Sequence, residues 1–343
     1  MRSIPMVDQG APGPEGARLP LPEVLYIEPT NRCNSLCTEC PRTFGLDVEA
    51  PRDLSLEEFD TIIAQVPTLR QVVLHGLGEP LLHPHIATMV ARLRAREVEV
   101  TFNTNAISLT RRRAAALIAA GLQDLRVSMD GARAATYAAI RGVDRLGVVR
   151  RNLNNLRDLK AELGVDYPRV SLWFVAMRQN LEELPKLVEL APTVGAREVY
   201  VQRLVYFGVG TAVREQALFR RLRDRERDLI GRAEARCRDL GLSFQGAGAT
   251  DPLTSADPVV AARPWSACRR PYYLTYITAH GNALSCCFVP FTGRPYGGGV
   301  LGNVLQDGLE GVWNGGRYRA FRAQFESDTP PQWCAGCGSK WSV

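Results

Sequence analysis

The sequence has no run of 18 apolar residues anywhere in its 343, which excludes a bilayer-spanning helix. Lysine is almost missing: Lys160, Lys186 and Lys340 are the only three, so 39 of the 42 basic residues are arginine. No run of five like charges occurs, and the basic stretch from Arg220 to Asp239 is interleaved with acids, as on a solvated helix face. A net charge of +6 without a recognition motif argues against nucleic-acid binding, although a mild positive field suits an acidic partner or an anionic substrate. The first 21 residues lack the apolar centre of a secretory signal and read as a loose arm rich in Pro, Gly and Ala, so a cytoplasmic setting is the expectation. What is present is a globular balance, 45 % apolar and 23 % charged, in a chain long enough to bury a full core without disulfides. Nine cysteines in a reducing compartment then read as ligands or catalysts.

From residue 22 to 241 strand-like and helix-like segments alternate. Val24 to Pro29, Gln71 to Leu77, Val98 to Asn103, Leu125 to Met129, Val170 to Val175 and Glu198 to Val205 are short apolar strands. The first helix opens with a capping box, Ser55 and Glu58, and buries a stripe of Phe59, Ile62, Ile63 and Val66. The last, from about Gln216 to Leu240, carries Cys237, which reads as a core thiol. Six βα units in series imply a parallel sheet covered by helices. No G-x-G-x-x-G fingerprint follows the first strand, which weakens a dinucleotide-binding reading and leaves a partial (β/α)6 barrel. After Leu242 the alternation stops, and residues 242–343 read as a small Cys-rich α+β extension, with Gly246 to Pro264 as a linker.

Two cysteine sets carry the chemistry. Cys33, Cys37 and Cys40 follow the first strand with spacing Cys-x3-Cys-x2-Cys, so three thiolates converge from one loop. A structural zinc site wants four ligands, and three with no fourth nearby suit an iron–sulfur cluster with one iron left open. A zinc site completed by His75, His83 or His85 is the alternative. The second set is Cys268, Cys286, Cys287, Cys334 and Cys337, ending in the metal-ligand spacing Cys-x2-Cys. Four of these hold zinc as readily as an iron–sulfur cluster.

The first set, with the landmarks after it, resembles the radical S-adenosylmethionine (SAM) enzymes. Gly76-Leu77-Gly78-Glu79-Pro80 is similar to the motif that binds the methionine amino group, and Thr104-Asn105-Ala106 stands where relatives carry Thr-Asn-Gly. Ser128-Met129-Asp130-Gly131 resembles the segment at the SAM ribose and carboxylate, and Tyr137 with Ile140-Arg141-Gly142 matches the next helix. Glu39 stands where many relatives place an aromatic residue against adenine, so either Phe44 substitutes or adenine rests mainly on backbone. The resemblance implies SAM contacts from Gly76, Gly78, Glu79, Asn105, Ser128, Asp130 and Arg141. All these landmarks fall at C-terminal ends of successive strands, the rim where ligand-binding loops of β/α barrels gather.

The second set resembles the SPASM-type extension of the same family, with Cys268, Cys286, Cys334 and Cys337 as ligands, Cys287 as neighbour, and His280-Gly281-Asn282 turning a hairpin. The resemblance thus implies two 4Fe-4S clusters, SAM, and a flavodoxin or ferredoxin as electron donor. The few residues before the first strand favour a small sugar or nucleoside substrate over a peptide. The segments EPTNRCNSLCTECPRTF, LHGLGEP, FNTNA and YVQRLVYF resemble those of antibiotic-assembly enzymes such as the cytosylglucuronate decarboxylases, which implies decarboxylation of a nucleoside uronate, with Arg178 and Arg203 as candidate carboxylate contacts. Sugar dehydrogenation or epimerisation, peptide or sulfatase maturation, and a non-catalytic zinc or iron–sulfur module are the other readings.

Overall fold

The computed structural model describes residues 18–46, 49–247, 251–256, 265, 268–292 and 296–335. Seven strands come first: β1 (Val24–Ile27), β2 (Gln71–Leu74), β3 (Glu99–Thr104), β4 (Asp124–Ser128), β5 (Arg169–Ala176), β6 (Glu198–Arg203) and β7 (Ser243–Gly246). Each is parallel to the one before it, and β8 (Leu274–Ile277) lies parallel on the far side of β1. Two short antiparallel strands, β9 (Asn282–Leu284) and β10 (Gly302–Asn303), extend that edge into the single order β10-β9-β8-β1-β2-β3-β4-β5-β6-β7. The expected partial barrel is present, with a C-terminal antiparallel and helical extension. Its parallel sheet has two more strands than the six foreseen, because β7 and β8 are too short to show a periodicity of their own.

The helices between strands are α1 (Leu56–Ala64), α2 (Ile86–Arg94), α3 (Arg111–Ala119), α4 (Ala134–Arg141), α5 (Leu146–Leu163), α6 (Leu184–Thr193) and α7 (Asp224–Asp239). Local chemistry sets their ends. Ser55 and Glu58 close the capping box on α1, and Gly142 and Gly164 take left-handed φ after α4 and α5. Strand alternation then sorts the side chains. Leu25, Ile27, Val100, Phe102, Leu125, Val127, Leu172, Phe174, Val199 and Val201 belong to the main core. Their neighbours Tyr26, Asn103, Arg126, Trp173 and Tyr200 face the opposite side and line a cavity.

The extension adds α8 (Pro252–Ala256), α9 (Arg270–Tyr273), α10 (Leu309–Trp313), α11 (Gly316–Glu326) and α12 (Gln332–Ala335). Buried Arg322 of α11 ties it together: Nε donates to the Pro271 carbonyl at 2.9 Å, Nη1 to the Trp313 carbonyl at 2.8 Å, and the guanidinium sits 4.1 Å from the Trp313 ring centroid. Residues at the end of the expected arm are held here. Trp313 Nε1 donates to the Pro20 carbonyl, and Asn314 exchanges hydrogen bonds with the Leu19 backbone.

Candidate active site

The cavity, about 250 Å³, opens at the C-terminal ends of the strands. Cys33, Cys37 and Cys40 all face it from the loop after β1. That loop is pinned on several sides. Thr38 N donates to the Ile140 carbonyl at 2.8 Å and Leu36 N to the Arg141 carbonyl, both at the end of α4. Asn105 Nδ2 donates to Asn34 Oδ1 at 2.7 Å and to Ser35 Oγ at 3.1 Å. Burial pushes all three thiols up, Cys40 to about 11, with Arg141 pulling the other way. Among the described residues, no three Cys, His, Asp or Glu side chains close to the spacing of a single metal ion. Three cysteines that line one cavity without closing on one point suit a multi-iron cluster, whose irons each take their own thiolate, better than zinc. His83 is engaged elsewhere, with Nε2 against the Leu54 carbonyl and Nδ1 accepting from His85 N.

The Gly76–Pro80 loop needs its glycines for close approach. A Cβ on Gly78 would stand 2.0 Å from the Thr30 carbonyl oxygen, and one on Gly76 would stand 2.2 Å from Glu28 Oε1. Buried Glu79 accepts from Leu81 N at 3.0 Å, Thr104 Oγ1 at 2.6 Å and Asn105 N at 2.7 Å. It therefore joins the loops after β2 and β3 while still facing the cavity. Ala106, where relatives carry glycine, takes the left-handed φ of 56°. Glu79→Gln keeps the size but sets an amide donor against one of three donors. We expect it to cost about 1–3 kcal/mol of stability and to raise the KM for SAM, checked by denaturation and by 5′-deoxyadenosine formation.

Ser128, Asn105 and Arg141 line the cavity; Asp130 lies behind it. Its carboxylate accepts from Arg141 Nη1 at 2.8 Å and from Val175 N at 2.8 Å, so Asp130 positions Arg141. Glu39, 3.4 Å from the same Nη1, is pushed up to about 8 by burial and by Asp130, against the pull of Arg141. Glu39 Oε2, Asn103 Oδ1 and Arg141 Nε are buried without a hydrogen-bond partner. A zwitterionic sulfonium ligand such as SAM would complete this donor and acceptor set. Phe44 is exposed, packs against Gly210 and is not among the cavity's residues, which corrects the expectation that it replaces the missing aromatic.

Glu28, behind Gly76, accepts from Leu77 N at 2.6 Å and Ala279 N at 3.1 Å. Burial, outweighing these bonds and reinforced by Glu49, pushes it up to about 7 from 4.5. Between those values the folded chain holds a proton that the unfolded chain releases, so stability falls as pH rises through the window. The loss is about 3 kcal/mol at most. Denaturation from pH 4.5 to 7.5 checks this, with Glu28→Gln expected to flatten the slope.

Of the two candidate substrate arginines, only Arg203 faces the cavity, its guanidinium 4.7 Å from the Phe219 ring centroid. Arg178 pairs with Glu226 and donates to the Arg221 carbonyl at 2.8 Å, because α7 covers the end of β5 there. It is a structural ion pair outside the cavity. Sequence reasoning missed Arg126, Trp173, Tyr200 and Arg270 as cavity residues, and His75 as anything but a zinc ligand. Burial and the Arg126 charge hold His75 down at about 4, a neutral imidazole at pH 7.

Of the second cysteine set, Cys287 lines the extension's side of the cavity. The hairpin β8–β9 turns at Gly281 as expected and leads to Cys286 and Cys287. Cys287 faces the cavity with Arg270, Phe288 and Phe291, and burial pushes its thiol up to about 12. Trp333 shares an apolar cluster with Cys286 and Cys287, which brings α12 and Cys334 to them. Cys268 is partly buried against the main core, two residues before Arg270. Cys337 lies outside the described residues. Cys237 is buried in the core under α7, as expected.

Residues 27–191 match the radical SAM superfamily, and residues 268–338 match SPASM, an iron–sulfur cluster-binding domain. The mycofactocin maturase MftC of Mycolicibacterium smegmatis is 28 % identical over 93 % of this chain and 76 % of its own. The PqqA peptide cyclase of Granulibacter bethesdensis is 25 % identical over 92 % and 79 %. A tungsten-containing aldehyde ferredoxin oxidoreductase cofactor-modifying protein of Pyrococcus furiosus is 28 % identical, but the chain spans only 51 % of its length. Among solved structures, Streptococcus suis SuiB bound to its precursor peptide SuiA shares the fold, with a TM-score of 0.68 at 17 % identity over 94 % of this chain and 71 % of that one. These relatives are maturases and modifying proteins and do not single out the cytosylglucuronate decarboxylases. With one match spanning the three-cysteine loop and the other the second cysteine set, the chain belongs to the radical SAM superfamily and carries a SPASM domain.

Proposed function

We propose that this radical SAM enzyme modifies a peptide. The observation that carries the reading is the alignment of a maturase and a peptide cyclase along more than nine-tenths of the chain. A second cavity of about 350 Å³ supports it. It shares Arg42, Thr43 and Leu77 with the first, so the two together offer an extended ligand more length than a single sugar needs.

Cys33, Cys37 and Cys40 would hold the first 4Fe-4S cluster, and Cys268, Cys286, Cys334 and Cys337 an auxiliary one. With an electron from a flavodoxin or ferredoxin, the first cluster and SAM together would supply the reductive cleavage of SAM and the hydrogen removal from an unactivated carbon that the modification needs. The chain's own residues do the rest. Arg141, held by Asp130, and the Glu39 and Asn103 oxygens receive the polar end of SAM. Glu79 and Asn105 keep the three-cysteine loop in register with the neighbouring strand ends. Trp173, Tyr200, Phe288 and Phe291 wall the cavity and exclude water from it.

The test is anaerobic incubation of the reconstituted enzyme with SAM, reductant and peptides encoded by short reading frames beside its gene. A peptide mass change matched by 5′-deoxyadenosine is expected. Loss of carbon dioxide from cytosylglucuronic acid, with every peptide unchanged, would replace this reading with the uronate decarboxylase.

A further inference from the structure

The inner face of the sheet carries an unusual polar row. β-strand register sets Trp173 beside Tyr200 on β5 and β6, and Ser128 beside Trp173 on β4 and β5, with Arg126 two residues back on the same face of β4. Trp173 and Tyr200 stack at 3.9 Å and 15°, and the Arg126 guanidinium lies 4.7 Å from the Trp173 ring. Across from them, Arg270 at the head of α9 lies 4.9 Å from the Phe288 ring. Arg126, Arg203, Arg270 and Tyr200 all line the same cavity, and burial raises the Tyr200 phenol against the pull of these cations.

Rings hold these guanidinium groups by their faces, which leaves their N–H edges turned outward. Among the described residues, neither Arg126 nor Arg270 forms an ion pair. The carboxylates that line the cavity are Glu39, which faces Arg141 at 3.4 Å, and Glu79, which is held by three donors. Neutral His75 cannot supply an anion. Cys287 shares the cavity with Arg270 and, as a thiolate, offsets part of its charge, and a ligand carboxylate would supply the opposite charge that remains for two half-buried cations.

We propose that this wall is a carboxylate-binding subsite with Arg126 and Arg270 as its cations, and that the residue to be modified is presented with a free carboxylate, from an acidic side chain or from a chain terminus. The proposal rests on the peptide reading for the carrier of that carboxylate. A planar guanidinium fork is suited to a carboxylate in the paired geometry of two parallel N–H bonds.

The test uses the cluster-loaded enzyme saturated with SAM, so that SAM's own carboxylate is already placed, and measures binding by calorimetry. The probes are N-acetylglutamate α-methylamide against its glutamine counterpart, N-acetylalanine against N-acetylalaninamide, and glucuronate against glucose. At least one peptide carboxylate is expected to bind about tenfold or more tighter than its amide. Arg126→Gln and Arg270→Gln should erase that preference and Arg126→Lys should keep part of it, with iron content reporting that each variant folds. Equal binding of acid and neutral probe to the unaltered enzyme, or a preference that survives both glutamine variants, overturns the subsite. Preference for glucuronate alone keeps the carboxylate subsite and overturns the peptide reading beneath it.

Discussion

Cys37→Ala is expected to lower 5′-deoxyadenosine formation by at least about 100-fold, beyond the ten- to hundredfold loss common when a residue outside the ligand set is removed. The reason is geometric. Cys37 sits at the middle of the three-cysteine loop, is nearly buried, and shares one cavity with Cys33 and Cys40. Backbone bonds from Leu36 N and Thr38 N fix the residues on either side of it to the end of α4, so no other side chain can swing into its place. Iron content should fall while the auxiliary iron persists. Cys237→Ala is the matched control. Its thiol is buried in the core and is not among the cavity's residues, and losing it should cost about 1 kcal/mol of stability while SAM cleavage continues. Comparable losses of cleavage in both variants would mean that the loop is an ordinary packing element.

Gly142→Ala is expected to destabilise both the fold and the three-cysteine loop. Gly142 has φ of 68°, where an L side chain is strained, and a Cβ there would stand 2.1 Å from the Leu36 carbonyl oxygen. The obstructing atom is backbone of the three-cysteine loop and cannot rotate away. Overpacking of this kind costs about 1–3 kcal/mol and the left-handed conformation about 1 more. The loop must shift, so a loss of about 3 kcal/mol in stability should come with loss of iron from the first cluster. Gly164→Ala supplies the comparison: its φ is 64°, but a Cβ there meets nothing within 4 Å, so only the conformational part remains. If the two variants unfold at the same denaturant concentration, the close approach of Gly142 to the loop does not matter in solution.

Most of the frame was legible because its signals are local. The capping box of α1 and the strand-to-loop position of each motif depend on neighbours a few residues away, and the structure repeats them. β7 and β8 escaped notice because four-residue strands flanked by irregular chain show no period. The cavity's far wall was hidden for a different reason. A parallel sheet covered on both faces should read as nearly continuous apolar strands. Tyr26, Asn103, Arg126, Trp173 and Tyr200 break that pattern at every second position, a signal of a ligand-facing side that was present in the residues and went unused. Arg178 misled because strand position tells which end of the sheet a residue occupies, not which partner waits there, and Glu226 lies 48 residues further along the chain. Asp130 was legible as part of the SAM motif, but its place behind Arg141 depends on the tertiary contact with Val175.

The most direct measurement is electron paramagnetic resonance of the anaerobically reconstituted, dithionite-reduced protein with and without SAM. The account predicts a reduced 4Fe-4S signal whose g-values shift when SAM is added and which disappears in the combined Cys33→Ala, Cys37→Ala, Cys40→Ala variant. A protein that takes up zinc in place of iron, or whose cluster signal ignores SAM, would contradict it.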